Sequence, residues 1–82
     1  MGQGEKINEA QEILDWVIMR LNVSIKCKVV DYKHENFRVH VFKENKLMMP
    51  VQILEEWIRS TNPRENFIHE KIEILFKNLE NY

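Results

Sequence analysis

Two β-rich segments carry the side chains whose types and spacing most clearly suggest a chemistry, which is binding to nucleic acid. Both segments alternate apolar and polar residues with the two-residue period of a strand, so each presents one side outward. Lysine and arginine neutralise phosphates, and aromatic rings stack on unpaired bases. The outward-facing set is Lys26, Lys28, Arg38, His40 and Phe42. One alternative is an ordinary solvated face, because antiparallel sheets commonly leave one face in water. Another is contact with an acidic protein.

Positive charge is concentrated in the same part of the chain. Residues 20–46 carry seven Lys or Arg and three acidic residues, whereas the whole 82-residue chain has a formal net charge of −1. Dedicated nucleic-acid binders are usually strongly basic. The order of a helix, a hairpin and further helices is similar in topology to double-stranded RNA-binding domains and KH modules. The chain has no GxxG loop, however, and no lysine cluster opens its last helix. Nucleic-acid binding is therefore the alternative hypothesis.

The leading hypothesis is protein–protein contact, and it depends on apolar residues that lie outside the apolar stripes of two helical segments. Met and aromatic residues are favoured in the cores of protein interfaces, and an exposed group of them usually marks one. Phe67 and Ile74, seven residues apart, should align along the last helix. The candidates are Trp16, Met19, Phe67 and Ile74. The alternative is burial within the chain: the last helix sandwiched between sheet and helix, and the first-helix pair packed near Tyr82.

Other side chains give no basis for an enzyme, a metal site or a cofactor. Cys27 is the only cysteine, which excludes an intramolecular disulfide and favours a reducing, cytoplasmic location. Its inward position in a strand predicts a buried, unreactive thiol. Glu65, His69 and Glu73 share one face of the predicted last helix, a spacing more typical of ion pairing than of a metal site. Glu55 is expected on a solvated helix surface.

Changes in periodicity predict the first elements. Apolar residues at helical spacing predict a helix from Glu5 to Leu21, which Asn22 ends. Alternation then predicts strands at 24–30 and 37–43, joined through a polar turn region at 31–36. The apolar residues share one face only if the loop has an odd length, three or five residues. We expect five, which pairs Val29 with Val39 and Cys27 with Val41.

Turn and helix signals predict the remaining elements. Glu44–Lys46 should form a second turn, and Leu47–Met49 is a candidate for a short third strand. Pro50 suits the first position of a helix that ends near Ser60. Asn62 should cap the last helix, with Pro63 as its first residue and its end near Asn78–Glu80.

These elements predict an α+β fold of residues 1–82 as one small domain, in the order α-β-β-(β)-α-α. An antiparallel hairpin or three-stranded sheet would be covered by helices on one face, since a sheet must bury one face. The first few residues are expected to be disordered. No apolar run is long enough to span a membrane, so we expect no membrane contact. The predicted function is that of a non-enzymatic protein-interaction or assembly module, whose partner is another protein or a second copy in a homodimer.

Overall fold

The chain folds as one long helix, three antiparallel strands and two shorter helices. The computed structural model describes residues 2–82. The disorder predicted for the first few residues includes Met1, which lies outside the described residues. The elements are α1 (Gly2–Leu21), β1 (Lys26–Lys33), β2 (Asn36–Lys43), β3 (Lys46–Leu54), α2 (Glu55–Ser60), a 3₁₀ turn (Pro63–Glu65) and α3 (Glu70–Glu80). The predicted α+β class is confirmed.

Helix α1 packs along the sheet because its apolar residues recur once per turn. Leu14 and Val17 are fully buried in the core that α1 shares with the strands. The helix begins at Gly2, three residues before the predicted Glu5, so that predicted start is wrong. It ends as predicted at Asn22, whose positive φ of 56° places it in the left-handed region. The N–H of Asn22 bonds to Met19 and that of Val23 to Ile18, which satisfies two carbonyls of the last turn.

The predicted pairing of the first two strands is confirmed. Val29 lies opposite Val39, and Cys27 lies opposite Val41. These four side chains point to the inner, helix-covered face of the sheet, where each is buried. The alternating pattern determined this pairing, since a shift of one residue would expose the apolar set.

The predicted five-residue loop, by contrast, is wrong. The strands continue through most of the polar region at 31–36 and meet at a two-residue turn, His34–Glu35. Both turn residues have positive φ, 53° and 60°, as a type I′ hairpin turn requires. A bulge between Val29 and Asp31 adds the residue that restores the pairing of the apolar side chains.

The third strand exists, but it is longer than the predicted Leu47–Met49 and includes Pro50. The prediction that Pro50 begins a helix is therefore wrong, and α2 starts at Glu55 and ends at Ser60 as expected. The strand order is β1-β2-β3, so β3 is an edge strand, where proline is tolerated. Ile53, paired with Phe37, is fully buried on the inner face, and this two-residue period outweighs the helical spacing.

The start of the last helix also differs from the prediction. Asn62 does act as a cap, but of the 3₁₀ turn: its Oδ1 accepts a bond of 3.0 Å from the N–H of Arg64. Asn66 then adopts a left-handed φ of 54°, which ends that turn. The helix α3 begins only at Glu70, capped by His69, whose Nδ1 accepts from the N–H of Lys71 at 3.1 Å. Its end at Glu80 is as predicted.

One hydrophobic core lies between the inner face of the sheet and the helices. The strands contribute alternate residues and each helix contributes its apolar stripe. The largest fully buried side chains are those of Leu14, Val17, Phe37, Val39, Val41, Ile53, Ile72 and Phe76. The opposite face of the sheet is open. In residues 2–82 no helix has the length and apolar character needed to cross a bilayer.

Candidate functional site

The open face of the sheet brings together all five residues predicted for nucleic-acid contact. Lys26 lies opposite Phe42, and Lys28 lies opposite His40. Arg38 is two residues before His40 on β2 and therefore shares its face. The three cations are exposed, and the two rings are half-buried between their neighbours. The sequence predicted this grouping because side chains alternate between the two faces of a strand. Once the inward residues of each strand are identified, the outward residues follow.

The cations of this face have few protein partners. Arg38 approaches Asp31 at 3.8 Å, and both side chains are about half exposed, so the pair contributes little stability. In the part of the chain that the structure describes, Lys26 and Lys28 form no ion pair. These two side chains can therefore reach an anionic ligand without first breaking a contact.

The third strand changes the character of the open face. Pro50 lies opposite His40, and Gln52 lies opposite Arg38, so neither row gains a charge. Leu47 and Leu54, at the two ends of β3, are 54% and 37% exposed. The face is basic along β1 and uncharged along β3, a gradient that the hairpin alone did not reveal.

The apolar residues proposed for protein contact are not covered by the fold. Met19, Phe67 and Ile74 are 69%, 50% and 48% exposed. The alternative of burial within the chain is wrong for these three, and Tyr82, the expected neighbour of the first-helix pair, is itself 78% exposed. Trp16 differs, since it is half-buried against the core.

Three segments that carry these residues meet at one side of the helical layer. Arg20 Nε donates a bond of 2.6 Å to Asn66 Oδ1, which joins the end of α1 to the loop before α3. Arg20, Asn66 and Glu73 line one groove of about 340 Å³. In the chain, Met19 precedes Arg20, Phe67 follows Asn66 and Ile74 follows Glu73. The expected alignment of the last two along one helix is wrong, because Phe67 lies in the loop and forms a bridge with Asn62.

The half-buried Trp16 lines a separate shallow groove. Its neighbours there are Glu9, Glu12, Ile13 and Pro63, around a volume of about 400 Å³. The groove lies between α1 and the 3₁₀ turn. Replacing Trp16 by a charged residue would therefore disturb packing as well as any contact, which makes Met19 the cleaner probe of the surface.

A polar cluster that no sequence pattern indicated joins α1, β1 and α2. Lys6 Nζ lies 2.8 Å from Glu55 Oε2 and 3.2 Å from the hydroxyl oxygen of Tyr32. The Tyr32 hydroxyl donates to Glu55 Oε1 at 2.6 Å, and Arg59 lies 3.0 Å from Glu55 Oε2. Glu55 is only 12% exposed, so its predicted place on a solvated helix surface is wrong. Lys6, Tyr32 and Glu55 are separated from one another by 23 to 49 positions in the sequence. No local sequence pattern can therefore predict that they meet.

The electrostatics of this polar cluster suit structure better than catalysis. The hydrogen bonds from Lys6 and Tyr32, together with Arg59, lower the pKa of Glu55 to about 2. A carboxylate with that pKa is a poor proton acceptor at neutral pH. The bonds to Glu55 and Tyr32 raise the pKa of Lys6, so its ammonium stays charged and is no nucleophile. The cluster therefore acts as a clamp between elements.

Cys27 and His69 both have structural roles in this fold. Cys27 is buried as predicted, and burial raises the pKa of its thiol to about 12. His69 caps α3 and stacks on Trp57, with ring centroids 6.0 Å apart. Glu65 lies in the 3₁₀ turn, so the predicted shared helical face of Glu65, His69 and Glu73 does not form. The structure shows no group of three metal-ligating side chains in these residues.

The chain matches no protein-family model, and no curated protein or solved structure is significantly similar to it. A functional proposal therefore depends on the two surfaces described above, the open sheet face and the exposed apolar residues of the helical layer.

Proposed function

We propose that this protein is a cytoplasmic, non-enzymatic module that works by protein–protein contact. The observation that carries the proposal is the exposure of Met19, Phe67 and Ile74, which remain 48–69% exposed beside a closed core. Three large apolar side chains on converging segments form the kind of surface that a partner buries. A buried free thiol at Cys27, with no second cysteine, supports a reducing compartment.

The non-enzymatic part of the proposal is supported by the state of the ionisable groups. Glu55 is fully engaged by Lys6, Tyr32 and Arg59, and the Cys27 thiol is buried with a raised pKa. A catalytic acid, base or nucleophile needs a pKa matched to its task and access to a substrate. Neither of these two strongly perturbed groups has both properties.

The test is to place charge on the exposed apolar surface without disturbing the core. Met19→Glu with Phe67→Glu should leave the unfolding midpoint nearly unchanged, because both side chains are at least half exposed. Tagged wild type and the double variant would be compared by quantitative affinity capture from cells and by sedimentation equilibrium. We expect a specific protein, or a second copy of the chain, to bind wild type and not the variant.

The control is Val30→Glu, which places one negative charge, half the change of the double variant, on an apolar residue of the sheet that is 36% exposed and away from this surface. It should bind every partner that wild type binds. Equal binding by wild type and the double variant would contradict the proposed surface. Unfolding of the double variant would show instead that these side chains belong to the core.

A second candidate function is binding of single-stranded nucleic acid at the open sheet face. The observation that favours it is the convergence of Lys26, Lys28, Arg38, His40 and Phe42 on one uncovered face. Three cations that each contact a phosphate would give a salt dependence with a log–log slope of about −2. The half-buried rings of β2 would provide the stacking platform.

Fluorescence anisotropy of labelled random single-stranded RNA at several salt concentrations tests this second candidate. Lys28→Glu with Arg38→Glu should abolish binding. The matched control, Arg64→Glu with Lys71→Glu, makes the same change in net charge on exposed residues of the helical side and should bind as wild type does. Absence of binding at low salt, or equal loss in both double variants, would refute a specific role for this face.

A further inference from the structure

The two edges of the sheet are treated differently by the rest of the chain. On β1, the side-chain amide of Gln11 donates to the carbonyl of Cys27 at 3.0 Å and accepts from the N–H of Val29 at 2.8 Å. Gln11 thus stands where a neighbouring strand would. On β3, no backbone or side-chain group in residues 2–82 bonds to the outer edge through Pro50, Gln52 or Leu54. That edge is free.

The backbone of β3 presents hydrogen-bonding groups outward at alternate residues. Beyond the sheet's end, the N–H of Glu55 donates to the carbonyl of Glu35 at 3.0 Å, which marks a hydrogen-bonded pair. By alternation, odd-numbered residues of β3 bond to β2, and the even-numbered Pro50, Gln52 and Leu54 direct their groups away from it. Proline at position 50 therefore removes an outward donor and leaves the ladder to β2 intact.

This free edge carries little of the protection that natural edge strands have, such as lysine, inward charges or proline. Lys46 begins the strand and Pro50 removes one outward donor, but residues 47–54 contain no charged residue. The inner side chains of β3 are also incompletely covered. Met49 and Val51 are half-buried, while Val41 and Val39, their partners on β2, are fully buried.

Charges at the two ends of β3 suit an antiparallel second copy. Lys46 begins the strand, and Glu56 lies two residues beyond its end; both are exposed. When two copies pair antiparallel about Val51, the Lys46 end of each strand lies beside the other copy's first turn of α2, which carries Glu56. Parallel pairing would bring like charges together instead. An antiparallel two-fold contact is also closed, so it forms a dimer rather than a fibre.

We infer that the outer edge of β3 binds the same edge of a second copy, antiparallel about Val51, to form a six-stranded sheet. This inference rests on the proposed function in protein contact and assigns the partner as a second copy. It uses a surface separate from Met19 and Phe67. The second copy supplies backbone partners for Gln52 and covers Met49 and Val51 along the shared edge.

Sedimentation equilibrium of the full chain over a wide concentration range tests the inference. Wild type should approach twice the chain mass of 10.0 kDa. Gln52→Pro removes the outward N–H from the centre of each edge, and we expect dimerisation to weaken about 10- to 100-fold, since two hydrogen bonds are lost. Gln52→Ala keeps that N–H and should dimerise as wild type does. Pro50→Val adds an outward donor and should strengthen dimerisation.

A charge swap tests the antiparallel arrangement itself. Lys46→Glu should weaken dimerisation, and adding Glu56→Lys should restore it, because the swapped pair is again complementary. Circular dichroism would establish that each variant is folded. Should Gln52→Pro fail to fold, Pro50→Val and the charge swap still decide the question.

The outcomes separate this inference from the proposed function. A wild type that stays monomeric, or a dimer that neither Gln52→Pro nor Pro50→Val alters, overturns the β3 contact. If Met19→Glu with Phe67→Glu abolishes association while Gln52→Pro does not, the β3 contact fails and the proposed surface stands. If only the β3 variants change association, the β3 contact stands and the Met19 surface fails.

Discussion

The β1 side and the β3 side of the sheet have similar strand lengths but very different surroundings. One cross-strand row on the inner face shows the difference, since Cys27 on β1 is 8% exposed, Val41 on β2 is fully buried, and Met49 on β3 is half-buried. The helix α1 lies over β1, and its Gln11 completes the hydrogen bonds of that edge. The β3 side has no equivalent cover in the described residues.

This difference shows how one long helix determines which edge of a small sheet is closed. The helix α1 precedes β1 through a short connection, so it packs back on the strand it leads into. The strand β3 instead runs directly into the six-residue α2, which is too short to cover it. The domain thus closes the β1 edge with the side chain of Gln11, while the described residues leave the β3 edge without hydrogen-bond partners.

Thiol chemistry should give the largest contrast between the two sides. Because burial raises the pKa of Cys27 to about 12, its thiolate at pH 8 should be on the order of 1000-fold scarcer than in the unfolded chain. Met49→Cys, made in a Cys27→Ala chain, places a thiol in the same row on the half-buried side and should react far faster. Alkylation by iodoacetamide, followed by mass spectrometry, measures both rates. Equal alkylation rates for the two thiols would contradict the expected difference in burial between the β1 and β3 sides.

Truncation of apolar side chains should separate the two sides by free energy of unfolding. Leu14→Ala empties a fully buried site between α1 and the sheet, and we expect a loss of about 2–5 kcal/mol. Leu47→Ala, the same change at a residue 54% exposed on β3, should alter the free energy by less than about 0.5 kcal/mol. Urea unfolding at low protein concentration measures both. Comparable losses would mean that Leu47 on β3 is as well packed as Leu14 beneath α1.

Removing the side-chain amide of Gln11 from the β1 edge should leave that edge as open as the β3 edge. Gln11→Met keeps the length of the side chain but leaves the Cys27 carbonyl and the Val29 N–H without their partner, at a cost of about 1–2 kcal/mol. Gln52→Met on the free edge should change the free energy of unfolding by almost nothing. Hydrogen exchange would also show faster exchange of the Val29 amide in the Gln11 variant. Unchanged stability and exchange would show that water satisfies the β1 edge equally well.

The polar cluster on the closed side should give a small, pH-dependent effect. The folded-state pKa of Glu55 is about 2, below its value in an unfolded chain, so its contribution is present above about pH 4.5 and is lost as the pH falls toward 2. Glu55→Gln should therefore show a shallower fall in urea midpoint over that range. Glu56→Gln, an exposed neighbour, should follow wild type. Parallel curves for Glu55→Gln and wild type would contradict the depressed pKa.

Prediction from sequence succeeded where a repeating pattern determined the structure. It failed where one residue was compatible with two different local structures. Alternation placed Val29 opposite Val39 and grouped the five open-face residues correctly. Pro50 was assigned to a helix start because proline suits that position, but its place on an edge strand suits it equally. Only the position of β3 in the sheet decides between the two.

The sequence by itself determined the fold class, the end of α1, the inward and outward sides of the first two strands and the burial of Cys27. These follow from hydrophobic periodicity, which acts over a few residues and is visible in a single chain. Tertiary structure alone decided that Gln11 covers the β1 edge, that Glu55 joins Lys6 and Tyr32, and that β3 is left open. Each of these depends on groups far apart in the chain, whose meeting is set by how the helix and sheet pack together.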